Sequence, residues 1–244
     1  MNRGTKKRER KEIFFQNNPY CCFCGGEANT ETIDHFPSRT IFDGRKWPEG
    51  YAFPACENCN KQSKISEMVT SFLFKIFPSP ITDEQLREFQ IAIDGLMNNR
   101  SDIMKELLSC DDPNGFYCGP LTEKELLFFA NKLGCALHYK HTEQIISHSG
   151  AIVIPDFYTY ADLIEGNIPN QLFGLVTDKA DILYQQTSLK ERFDYRYSCS
   201  GNKKVALFTV GFKLVIFFPI WTFADQNDVP SIFQNKVMKP FRYN

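Results

Sequence analysis

Two Cys-x-x-Cys pairs, Cys21–Cys24 and Cys56–Cys59, stand 31 residues apart in a chain of 244. Two such pairs supply four thiolates to one tetrahedral zinc ion, and Gly25-Gly26 suits the tight knuckle after the first pair. Four thiolates close the coordination shell and leave no position for water, so the expected zinc is structural. It would let a short module fold on a thin core. The 31-residue spacer exceeds that of a simple ribbon and must hold structure of its own. Cys22 lies inside the first pair and is spare. Cys110, Cys118, Cys135 and Cys199 lack ligand spacing and read as ordinary thiols.

The composition is that of a globular chain, with 43% hydrophobic and 23% charged residues, which excludes disordered and fibrous classes for the whole. Net charge is −1, so the overall balance does not point to a nucleic-acid partner. Its distribution is uneven: residues 1–67 carry 11 Lys and Arg against 9 Asp and Glu, and residues 68–244 carry 17 against 20. No apolar run is long enough to cross a bilayer, and the basic N-terminus lacks the apolar stretch of a secretory signal. A cytoplasmic protein is the expectation, and nine cysteines then favour metal binding or free thiols over disulfides.

The expected fold class is α+β. Residues 1–16 form a basic arm, helical toward Ile13-Phe14-Phe15. Residues 17–77 form the zinc-stabilised module, ending in one helix from Asn58 to Phe77. Phe77-Pro78-Ser79-Pro80 marks the boundary. Residues 81–244 form an α+β domain of helices followed by a small antiparallel sheet. Its helices are expected from Thr82, over 101–109, and over Leu126–His138 behind a Thr122-x-x-Glu125 capping box. Its strands are expected at 151–155, 171–177, 193–198 and 205–218, with a hairpin turn at Gly201-Asn202.

Between the cysteine pairs lies Thr32-Ile33-Asp34-His35-Phe36-Pro37-Ser38-Arg39. The run Cys-x-x-Cys-Gly, then Asp-His-x-Pro, then Pro-Ala-Cys-x-x-Cys-Asn resembles the zinc-bearing branch of the HNH endonucleases, which have the ββα-metal fold. The matching residues are Cys21, Cys24, Gly25, Asp34, His35, Pro37, Pro54, Ala55, Cys56, Cys59 and Asn60. The resemblance covers about residues 17–70 and is silent on residues 81–244.

The resemblance implies metal-dependent hydrolysis of DNA, in the first place double-stranded. His35 takes the place of the general base, and an imidazole titrating near neutrality suits that task. Asp34 and Asn60 take the places of the ligands of a catalytic Mg²⁺ or Mn²⁺, ions that favour oxygen donors. Glu67, two helical turns after Asn60, is a further candidate ligand. Lys64, Arg39, Arg45 and Lys46 are candidate phosphate contacts. HNH modules joined to unfamiliar domains often act in bacterial defence against phage, some with an ATPase subunit, which residues 81–244 would then dock. One departure stands out. Many HNH sequences have an Asn nine residues before the helix ligand, bracing the loop that carries the base; here that position is Tyr51.

A blander reading stands beside each role. Asn caps helices well, so Asn60 needs no metal. Glu67 and the four cations can be solvated charges, and Asp34-His35 can be a surface pair. The competing function is a non-catalytic zinc-stabilised module that binds DNA or protein; RNA cleavage is a third. His138, His141 and His148 lack a further ligand and read as structural.

Overall fold

The computed structural model describes residues 3–76, 82–109, 118–159, 162, 165–167, 183–186, 193–212 and 216–240. Helix α1 (Arg3–Asn17) makes the basic arm helical along its length. Strands β1 (Thr32–His35) and β2 (Ala52–Ala55) pair antiparallel, with Asp34 opposite Phe53 and His35 opposite Ala52. Helices α2 (Glu57–Gln62) and α3 (Lys64–Ile76) follow. The single helix expected over 58–77 is thus two. Ser63 separates them, and its hydroxyl donates to the Asn60 carbonyl at 3.3 Å, a local bond that competes with the helix ladder.

Helix α4 (Asp83–Asn99) starts on a reciprocal cap. Gln85 N–H donates to Thr82 Oγ1 at 3.2 Å, and Thr82 N–H donates to Gln85 Oε1 at 3.1 Å. Helix α5 (Ser101–Leu107) follows directly. Helix α6 (Pro120–Thr142) begins earlier than the Thr122-x-x-Glu125 pattern predicts. Proline suits a first helical position, and the cap comes from another helix. Glu106 accepts from Leu121 N at 2.9 Å, Thr122 N at 2.7 Å and Thr122 Oγ1 at 2.6 Å. Glu125 instead accepts from Arg100 Nη1 at 2.9 Å.

The second half ends in one seven-stranded antiparallel sheet, larger than expected. Its strands are β3 (Ala151–Val153), β4 (Tyr158–Thr159), β5 (Leu183–Gln186), β6 (Phe193–Cys199), β7 (Val205–Phe212), β8 (Ile216–Phe223) and β9 (Val237–Met238). The order is β5-β6-β7-β8-β3-β9, with β4 also on β8. The apolar stretch read as one strand over 205–218 is therefore split between β7 and β8, which pair with each other. The β6–β7 connection falls at Gly201-Asn202 as expected. The strand expected at 171–177 lies outside the described residues.

One continuous buried core crosses the boundary drawn at 77–80, a segment itself outside the described residues. Phe36 meets Phe129 of α6 with ring centroids 5.1 Å apart. Phe74 of α3 stacks on Phe212 of β7 at 4.7 Å, and Phe42 reaches the same ring at 6.5 Å. The zinc-type module and the helix-and-sheet half thus share their apolar interior. No described helix is long and apolar enough to cross a membrane.

Candidate functional site

The four expected cysteines come together. The Sγ atoms of Cys21, Cys24, Cys56 and Cys59 all lie within 4.8 Å of one another. Each knuckle carries a backbone N–H to sulfur contact: Phe23 N to Cys21 Sγ at 3.4 Å, and Cys59 N to Cys56 Sγ at 3.4 Å. Gly25 and Gly26 adopt φ of 70° and 80°, the left-handed region in which a side chain is strained. Cys22 N donates to the Pro54 carbonyl at 3.0 Å, which fastens the first knuckle to β2. Cys56 caps α2. The protons of the cluster are unevenly held. The Cys24 thiol is pushed far down by hydrogen bonds from Cys21 and Cys59, while those two are pushed up. Four thiolates this close repel one another and need a cation to coexist, so the donor set fits one zinc ion. Among the described residues this is the one group of three or more His, Cys, Asp or Glu placed to hold a metal.

Strand alternation divides the Asp34-His35 pair. Thr32 and Asp34 face α2 and α3; Ile33 and His35 face the other way. Asn60 Nδ2 donates to Thr32 Oγ1 at 3.4 Å, which sets Asn60 beside the face that bears Asp34. His35 is exposed, and its ring lies 4.4 Å from that of Trp47. The Arg39 guanidinium sits 5.7 Å from the Trp47 ring. His35 therefore lies on the strand face opposite Asp34.

Asp34 has a partner that its neighbours in sequence do not announce. Lys132, from the middle of α6, is wholly buried. Its ammonium donates to Asp34 Oδ2 at 2.6 Å, to Ser63 Oγ at 2.6 Å and to Glu67 Oε1 at 3.4 Å. It also lies 4.6 Å from the Phe36 ring and 4.9 Å from the Phe23 ring. Glu67 has its carboxyl pushed up, first by burial, against the pull of Lys132. Asp34 and Glu67 do converge on one cation, and that cation belongs to the chain.

The fit of a catalytic divalent ion follows from what remains. Asp34 Oδ1 and Asn60 Oδ1 have no hydrogen-bond partner among the described residues, and both are oxygen donors of the kind Mg²⁺ and Mn²⁺ take. Glu67, the further candidate, shares the Lys132 ammonium with Asp34 through its Oε1.

Of the expected phosphate contacts, Arg45 and Lys64 line one cleft of about 320 Å³ together with Ser38, Glu67, Lys75 and Glu88. Lys75 and Glu88 neutralise each other there at 2.7 Å. Arg39 lies apart, beside Trp47, and Lys46 is exposed.

Tyr51, which stands where many HNH sequences have Asn, is buried and anchored in the second half. Its carbonyl accepts from Phe36 N at 3.2 Å, one residue past His35. Its hydroxyl donates to Tyr195 on β6 at 3.3 Å, and Tyr195 meets His141 Nε2 at 2.8 Å. Lys140 lies 4.5 Å over its ring and donates to the Gly50 carbonyl at 2.9 Å. His138 is buried against Thr222 at 2.8 Å, and His148 pairs with Glu27 at 2.7 Å, so all three later histidines have structural partners.

The chain shows no significant match to any protein-family model, curated protein or solved structure.

Proposed function

We propose that the chain is a zinc-stabilised endonuclease of HNH type that hydrolyses DNA phosphodiester bonds. The observation that carries this reading is the β1–β2–α2 arrangement built on the thiolate cluster. It leaves one oxygen of Asp34 and one of Asn60 uncommitted beside the strand whose end bears an exposed His35. A phosphate laid across the end of β1 would have to be reached from both faces. There His35 would accept a proton from the attacking water. A divalent ion on Asp34 Oδ1 and Asn60 Oδ1 would supply charge neutralisation at the phosphate and the leaving oxygen. Arg45 and Lys64, in the cleft beside Glu67, and Arg39 near His35 would hold the neighbouring backbone.

The opposite-face placement of Asp34 and His35 favours a second reading, a zinc-stabilised module that binds DNA or protein without cutting. Residues 81–244 would serve either reading as a brace, through Tyr195, Lys140 and Lys132. Docking of a further subunit and a place in phage defence belong to the first reading and rest on the resemblance alone.

Incubation of supercoiled plasmid with Mg²⁺ or Mn²⁺ separates the two. Cleavage by the wild type that His35→Ala abolishes, with zinc content unchanged, supports the endonuclease. Binding of DNA without cleavage under either ion supports the second reading, and cleavage unchanged in His35→Ala removes His35 as the base.

A further inference from the structure

We infer that Lys132 is the built-in cation of the Asp34–Glu67 pair, and that by occupying it Lys132 decides which oxygens an added divalent ion can use. The sequence places this lysine in α6, a helix whose Leu126, Phe129, Ala130, Leu133, Ala136 and Leu137 are all buried. A charge in such surroundings survives only when its hydrogens are satisfied. An ammonium has three N–H donors, and Asp34, Ser63 and Glu67 accept all three. The two phenyl faces of Phe23 and Phe36 complete the seat.

Two consequences follow from the geometry. Asp34 is held by Oδ2, so its carboxylate cannot turn, and Oδ1 is the oxygen left over. Glu67 Oε1 is taken up by the ammonium, which withdraws that oxygen from the ligand set that the spacing from Asn60 suggests. Lys132 is thus a positioning residue, acting through Asp34 from the second half of the chain. Coulomb repulsion also opposes a divalent ion bridging Asp34 and Glu67 while the ammonium lies between them. The inference rests on the endonuclease reading only in placing an ion at Asp34 and Asn60.

Mn²⁺ binding by the full-length, zinc-loaded chain tests it, with free Mn²⁺ read by electron paramagnetic resonance. In the wild type, Glu67→Gln is expected to leave Mn²⁺ affinity unchanged. Lys132→Ala frees both carboxylates, and affinity is expected to rise by about tenfold or more through the lost repulsion. Adding Glu67→Gln to Lys132→Ala should remove the part of that rise that Glu67 supplies as a ligand, leaving the part due to the lost repulsion at Asp34. A wild-type affinity that falls on Glu67→Gln, or a Lys132→Ala gain that Glu67→Gln does not reduce, overturns the inference. Should Lys132→Ala fail to retain zinc, the comparison of wild type with Glu67→Gln decides alone. A wild type that binds no Mn²⁺, with a Lys132→Ala variant that binds it through Glu67, sinks the ion at Asp34 and Asn60 but sustains the role of Lys132.

Discussion

The Tyr51 hydroxyl donates to the Tyr195 hydroxyl at 3.3 Å, joining the loop behind His35 to a strand 144 residues later. Burial pushes the Tyr51 phenol up to about 12 and that of Tyr195 further still, so both are neutral and act as hydrogen-bonding groups. Tyr195 is the hub, because it also meets His141. Tyr51→Phe removes one neutral hydrogen bond and is expected to cost about 1 kcal/mol. Tyr195→Phe leaves both the Tyr51 hydroxyl and His141 without that partner and is expected to cost more, about 1–3 kcal/mol. Urea unfolding of the two variants checks the order; equal costs would contradict a hub at Tyr195.

The start of α6 depends on Glu106 rather than on its own first turn. Its carboxyl is drawn below the ordinary glutamate range by the hydrogen bonds from Thr122 and Leu121, although desolvation pulls the other way. Glu106→Ala leaves those backbone donors uncapped and is expected to cost about 1–2 kcal/mol, as loss of an N-cap does. Glu106→Gln keeps an acceptor and should recover part of it. Thermal unfolding of both variants is the measurement, and an Ala variant as stable as wild type contradicts the cap.

Acid should destabilise the fold between pH 6.5 and 4. Burial holds the His138 pKa down from 6.5 to about 4, so His138 stays neutral in the fold while the unfolded chain takes up a proton. The stability linked to it is complete above pH 6.5 and is lost as pH falls through that window, at up to about 1.4 kcal/mol per pH unit. His141, also held to about 4, first by burial, contributes in the same direction. Replacing His138 with Leu removes one titrating group, so the slope of stability against pH over this window should flatten. An unchanged slope contradicts a neutral buried His138.

The thiolate cluster was legible because ligand spacing is a local property of the sequence. The strand and helix that follow it were legible from the same stretch, through the motif that resembles the HNH endonucleases. The separation of α2 from α3 at Ser63 was not, since no Gly or Pro interrupts the polar run 60–64 and only a side-chain to backbone bond marks the break. Lys132 was missed for a different reason. Its partner Asp34 lies 98 residues away, and nothing next to either residue records that pairing. A signal did exist: α6 is apolar on nearly every face, so a lysine in its middle had to be buried and had to have an acid. Tyr51 stood out as a departure from the resembling family, but its partners Tyr195 and Lys140 come from β6 and α6, far away in sequence. Such long-range contacts are decided by tertiary packing.

Cys21, Cys24, Cys56 and Cys59 are placed so that one metal ion would join the first knuckle to the start of α2. Elemental analysis of the purified chain tests this most directly. One zinc per chain is expected in the wild type and in Cys22→Ser, whose thiol lies outside the cluster, with zinc lost from Cys56→Ser and Cys59→Ser. A wild-type chain without zinc, or zinc retained after both of those replacements together, would contradict the account.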